Sequence, residues 1–145
     1  MNENDATVTY HASCVSVEGR GVLIIGASGR GKSALALQLI ALGALLVSDD
    51  RTILMADGEA LVASAPPQIK GLIEARGIGI LNAEVVATAP ICLVVDLDHF
   101  ETARLPVPRV IKLLDINVPC LHKIDGAHFP AAILQYLKAG RQDQT

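Results

Sequence analysis

The segment Gly26-Ala27-Ser28-Gly29-Arg30-Gly31-Lys32-Ser33 constrains this chain more than any other, because it fits the pattern G-x-x-x-x-G-K-[ST] of a phosphate-binding P-loop. Such a loop needs a strand before it and a helix after it. GVLII at 21–25 is a short apolar run of the kind a buried strand shows. KSALALQLIALG at 32–43 is rich in helix-forming Ala and Leu and stops at Gly43, a suitable residue just past a helix end. The glycines let the backbone wrap so that successive N–H groups point inward at phosphate oxygens, and the helix adds its N-terminal dipole and unpaired donors. Lys32 then neutralises the β- and γ-phosphates of a nucleotide, and the Ser33 hydroxyl ligates Mg2+. A chance match in a chain of this length has odds of about one in two hundred.

Other elements arrange themselves around this unit. TVTYHASCVSV at 7–17 reads as one strand with His11 inside it, and EGRG at 18–21 joins it to the P-loop strand as a hairpin, since a tight turn leaves no room for a parallel crossover. ALLVSDD at 44–50 reads as a buried strand beside the P-loop strand, ending in Asp49 and Asp50. The Asp57-Gly58 pair between apolar runs predicts a second hairpin over 51–64. Pro66-Pro67 interrupts, and IKGLIEARGIGILN at 69–82 fits no simple period. ICLVVDLD at 91–98 reads as another buried strand, RVIKLLDI at 109–116 as one more, and HFPAAILQYLKAG at 128–140 as a closing helix. In that helix Ile133, Leu134 and Leu137 fall at core spacing. The expected fold class is α/β: a P-loop domain with a mixed sheet, an N-terminal β-hairpin leading into the P-loop strand, and helices packed on the sheet.

With 145 residues, 51% hydrophobic and 19% charged, the chain suits a single domain, residues 1–7 and 141–145 reading as flexible tails. The formal net charge is −3, the cations are scattered and there is no Trp, so neither a phosphate-neutralising face nor a base-stacking platform is available and nucleic acid is excluded as a partner. The longest uncharged stretch, Ser33–Ser48, contains Gln38 and Gly43, so no membrane span is expected. The opening MNENDATVTY is polar and acidic, unlike a signal peptide. Cys14, Cys92 and Cys120 are isolated in apolar runs and read as buried thiols of a reducing compartment. A cytoplasmic location follows from these readings.

Several polar residues are candidates for chemistry. A carboxylate at 49 or 50, at the end of an apolar strand, can hold Mg2+ through water or accept a proton from an attacking hydroxyl. Neighbouring strand residues face opposite sides, so only one of the pair is expected to meet phosphate. Glu74 and Arg76 form a compact charged group in an apolar stretch: Glu can ligate Mg2+ and Arg can stabilise a transferring phosphoryl group, the plain alternative being a surface ion pair. His11 reads as structural or catalytic. His99, His122 and His128 lack ligand spacing and read as surface or loop residues.

His11, GASGRGKS at 26–33, VSDDR at 47–51, APP at 65–67 and IEARGIGILN at 73–82 together resemble the catalytic domain of the HPr kinase/phosphorylase family, in a short single-domain form. The resemblance implies an enzyme that phosphorylates a serine of an HPr-like phosphocarrier protein of a phosphotransferase system, with ATP or pyrophosphate as donor, and removes that phosphate by phosphorolysis. It further implies that Gly26 through Ser33 bind ATP, that Lys32 binds the donor phosphates and that Ser33 and Glu74 hold Mg2+. Asp50 is implied as general base in one direction and acid in the other, although spacing leaves Asp49 open. His11 would stand close to that carboxylate, and Ile73–Asn82, with Arg76, would serve both directions. A homo-oligomer is also implied. Ala27 stands where the family often has Asp. A functional loop arginine of the family has two candidates in ARLPVPR, Arg104 and Arg109. The alternative reading is a nucleotide- or phosphate-sensing P-loop module that transfers little. A small-molecule kinase would call for a lid segment, and none is evident.

Overall fold

The computed structural model describes residues 7–142. In chain order the elements are β1 (Thr7–Tyr10), β2 (Ala12–Val17), β3 (Arg20–Ile25), α1 (Lys32–Ala41), β4 (Leu45–Ser48), β5 (Thr52–Asp57), β6 (Ala60–Ser64), a 3-10 turn (Pro67–Ile69), β7 (Leu72–Ala75), β8 (Gly79–Asn82), β9 (Thr88–Phe100), β10 (Val110–Leu113), β11 (Ile116–Lys123) and α2 (Phe129–Ala139). Nine strands form one mixed sheet in the order β1-β5-β6-β9-β3-β2-β4, with β11 also on β9 and β10 on β11. β7 and β8 form a separate hairpin. β9 is the spine: β3 runs parallel along one edge, while β6 and then β11 occupy the other.

Strand alternation divides the core between the two faces of the sheet. Val15, Val22, Ile24, Leu93 and Val95 point to the face covered by α1 and α2. Their neighbours Cys14, Leu23 and Val94 point to the opposite face, toward Leu54, Leu61 and Val118. Because both faces are buried, β3 and β9 read as continuous apolar runs rather than alternating ones. α1 ends in paired bonds, Gly43 N–H to Ile40 C=O at 3.0 Å and Ala44 N–H to Leu39 C=O at 3.0 Å, with Gly43 at φ 111°, which bears out the helix stop read from the sequence. Arg20 donates to the carbonyls of Leu137 and Lys138 at 2.7 and 2.9 Å, tying the C-terminal end of α2 to the start of β3.

The predicted hairpin into the P-loop strand is present: β2 pairs β3 antiparallel, turning through Glu18 and Gly19, both at positive φ. Several expectations are corrected. The segment 7–17 is two strands, because the chain bends at His11, β1 pairing with β5 and β2 with β3 and β4. β4 lies beside β2 and not beside β3; it reaches the P-loop end of the sheet because β2 is antiparallel to both. The central residues of the second hairpin are Gly58 and Glu59, since Asp57 already pairs with Ala60. The segment 109–116 is broken by a turn at Leu114 and Asp115, both at positive φ, between β10 and β11. The unassigned 69–82 becomes the β7–β8 hairpin. Residues 1–6 and 143–145 of the expected tails lie outside the described residues, while Thr7 already pairs with Met55. No helix among the described residues is long and apolar enough to cross a membrane.

Candidate active site

β3 runs into the glycine loop with Gly26 at φ 151°, a conformation strained for any side chain, and a Cβ there would sit a tight 3.2 Å from the Cβ of Leu97. Gly31, at φ 98°, caps α1 without a side-chain bond, and no acidic residue lies in the first turn, which leaves the helix N-terminus free for an anion. Lys32, itself buried, turns back over the loop and donates to the carbonyls of Gly26 at 2.7 Å and Ala27 at 3.2 Å. A carboxylate of β9 locks the loop. Asp98 Oδ1 accepts the Ala27 N–H at 3.0 Å and lies 3.3 Å from Arg30 Nε.

Asp49 and Asp50 leave the end of β4 in different ways. Asp49 is buried, and its Oδ1 accepts from both the Ser33 and the Ser13 hydroxyls at 2.7 Å. Its Oδ2 accepts the Glu74 N–H at 3.0 Å, which ties the β7–β8 hairpin to the P-loop helix. Asp50 turns outward at φ 65°, and its Oδ1 lies 2.7 Å from His11 Nε2. Ser13 joins the two acids, because its Oγ donates to Asp49 and accepts the Asp50 N–H at 3.3 Å. Of the two acids, Asp50 lines a cleft of about 560 Å³ with His11, Lys32, Ser33, Glu74 and Arg76. Asp49 stands behind Ser33.

Within the predicted loop, Ser28, Gly29 and Gly31 face this cleft with Lys32 and Ser33, whereas Gly26 and Ala27 serve the loop's own bonding and Arg30 turns to Asp98. Neither loop-arginine candidate reaches the cleft. Arg109 is held two-pronged by Glu101, at 3.1 and 3.2 Å from its two oxygens, and Arg104 lies on the exposed stretch between them. The Ala103 N–H, and next the Arg109 guanidinium, hold the Glu101 carboxyl below the usual range. Sequence reasoning missed Ser13 and Asp98. Asp98 had a signal, an apolar strand run ending in carboxylates; Ser13 had none, because a serine within a strand is ordinary. Of the cysteines expected to be buried, Cys14 and Cys120 are, and burial pushes both thiols up, Cys120 to about 11; Cys92 is half-buried.

The sequence matches the family described as HPr Serine kinase C-terminal domain over residues 3–121. The chain belongs to that family. HPr kinase/phosphorylase 1 of Oceanobacillus iheyensis is 38% identical over 122 residues, covering 75% of this chain and 39% of the relative. HPr kinase/phosphorylase of Geobacillus kaustophilus is 42% identical over 128 residues, covering 79% and 41%. The chain thus spans about two fifths of the length of these HPr kinase relatives. The solved Hpr(Ser) kinase/phosphatase from Coxiella burnetii superposes with a TM-score of 0.76 at 29% identity, over 90% of this chain and 94% of that one. The HPr kinase fold predicted from the P-loop and the 73–82 segment is therefore the fold observed.

Proposed function

We propose that this chain is a protein-serine kinase that phosphorylates a serine hydroxyl of an HPr-like phosphocarrier protein, with ATP or pyrophosphate as donor and Mg2+ as cofactor. The reading is carried by the His11–Asp50 pair, an imidazole and a carboxylate 2.7 Å apart on the wall of the cleft that holds Lys32 and Ser33. A module that only senses a nucleotide has no use for a base beside its phosphate loop. A soluble carrier as substrate puts the reaction in the cytoplasm.

A serine hydroxyl attacks poorly until a base accepts its proton. In the cleft its oxygen attacks the terminal phosphorus of the donor. The bond from that phosphorus to the bridging oxygen breaks, the shortened donor leaves with the bond's electron pair, and the serine proton passes to Asp50. His11 fixes the carboxylate for that transfer. Lys32, the loop N–H groups and Arg76 gather charge on the phosphoryl oxygens, the main source of catalysis in this chemistry. Ser33 and Glu74, with Asp49 behind them, make an all-oxygen set of the kind a hard cation takes, and Mg2+ held there would neutralise donor phosphate charge. In reverse, an oxygen of inorganic phosphate attacks the phosphoserine phosphorus, the bond from that phosphorus to the serine oxygen breaks, pyrophosphate forms, and Asp50 returns the proton to the departing serine oxygen. Across Gly31 a smaller cleft of about 260 Å³ has apolar walls from Leu97, Ile124, Phe129 and Pro130, which suit the nucleoside of ATP and are superfluous for pyrophosphate.

The test is transfer from γ-labelled ATP with Mg2+ to an HPr-like carrier, run beside Lys32→Ala and a carrier lacking the serine. Label on the serine, absent in both controls, is expected. ATP binding that depends on Lys32 without any labelled carrier would favour the sensing module instead.

A further inference from the structure

His99 and His122, expected to be unrelated surface residues, are brought together at the far end of β9. β9 and β11 run parallel with Asp96 directly opposite His122, yet the next partners are Phe100 and Lys123. Leu97, Asp98 and His99 therefore bulge out of the ladder. Bulges of this kind re-aim side chains and are frequent beside functional sites. Here the Asp98 N–H closes onto Asp96 Oδ1 at 2.9 Å and swings His99 back over the strand. His99 Nδ1 then lies 2.8 Å from Asp96 Oδ2, and its ring stacks on His122 with centroids 5.2 Å apart. One donor atom from each of the three residues falls within 4.8 Å of the others. Two of the three, Asp96 and His122, sit on paired strands and are partly buried, while His99 is exposed and leaves a path from solvent.

We propose that Asp96, His99 and His122 form a binding site for a divalent transition-metal ion, with Zn2+ the best match, separate from the phosphate cleft. Two imidazole nitrogens and one carboxylate oxygen are a borderline set that suits Zn2+ and its neighbours, whereas Mg2+ prefers oxygen alone. Bond lengths of a tetrahedral Zn2+ put ligand atoms about 3.4 Å apart. Metal entry would open the 2.8 Å His99–Asp96 hydrogen bond to that spacing, which the exposed His99 side chain can do by rotation, and the fourth position would be open to water. Asp98, in the middle of the bulge, holds the Ala27 N–H on the other side of the strand. The ion would thus fasten the same bulge that steadies the P-loop. The site rests on its own geometry and stands whether or not the chain is a kinase.

Titration of metal-free protein with Zn2+, in saturating Mg2+ and against a chromophoric chelator, tests this. One Zn2+ per chain is expected, with affinity lowered about a hundredfold or more in His99→Ala and in His122→Ala. Glu74→Gln should bind Zn2+ as the parent does. Co2+ in place of Zn2+ should give the intense visible bands of a four-coordinate site, lost in both histidine variants. His99→Ala is the variant to rely on if His122→Ala fails to fold, because His99 is exposed. Parental affinity in the histidine variants, loss of binding in Glu74→Gln, or no stoichiometric binding in the parent would each overturn the proposal.

Discussion

Asp49 and Asp50 are neighbours in the chain and sit in opposite surroundings. Asp49 is nine-tenths buried or more and accepts three hydrogen bonds, from Ser13, Ser33 and the Glu74 backbone. Asp50 keeps 61% of its side chain exposed, and its carboxylate pairs with His11. A carboxylate held by three hydrogen bonds in a dry setting holds structure together. One that faces a cleft with an oxygen free can take and return a proton. On the proposed function the pair divides support from chemistry across one peptide bond, and the positive φ of Asp50 turns the second acid outward.

The contrast is sharpest in Asp50→Asn. Phosphoryl transfer to the carrier should fall by about a hundred- to ten-thousandfold, while nucleotide binding and the urea midpoint stay near the parent's, because Asn accepts the left-handed conformation and the site is exposed. Transfer at the parental rate would move the base elsewhere. Asp49→Asn should instead register in stability. Two hydroxyls and an amide lose a charged acceptor, a loss of about 1.5–3 kcal/mol per strong bond at the upper end, read as a lowered urea midpoint. If Asp49→Asn leaves the midpoint unchanged, the division of roles fails. Ser13→Ala removes the link between the two acids and should cost about 1 kcal/mol while lowering the transfer rate more than nucleotide affinity. The smallest effect concerns a third carboxylate, Glu101. Its folded pKa is depressed, so its contribution to stability is present above the ordinary carboxylate value and is lost as pH falls through the lower folded value. Glu101→Gln should flatten that acid-side loss in a series of urea melts, and an unchanged pH dependence would refute the assignment.

The phosphate loop, its flanking strand and helix, the hairpin before it and the closing helix were legible because each is encoded locally. Glycines permit the conformations, apolar period sets the buried faces, and turn residues fix the reversals. The resemblance carried by the 73–82 segment identified the family even though its secondary structure was opaque. Leu72 to Asn82 form a short hairpin off the main sheet, too brief for alternation to rise above its glycines.

What remained illegible depends on strands that are far apart in the chain. Ser13 meets Asp49 because β2 lies between β3 and β4, an arrangement that no local pattern specifies. Asp98 reaches Ala27 because β9 is the parallel neighbour of β3. His99 and His122 meet only through the bulge in β9 and the pairing with β11. The sequence by itself determined that a P-loop stands between a strand and a helix, and which acids lie near it. The tertiary structure alone decided which acid is dry and which is open, since burial and partnership are properties of packed neighbours and not of residue type.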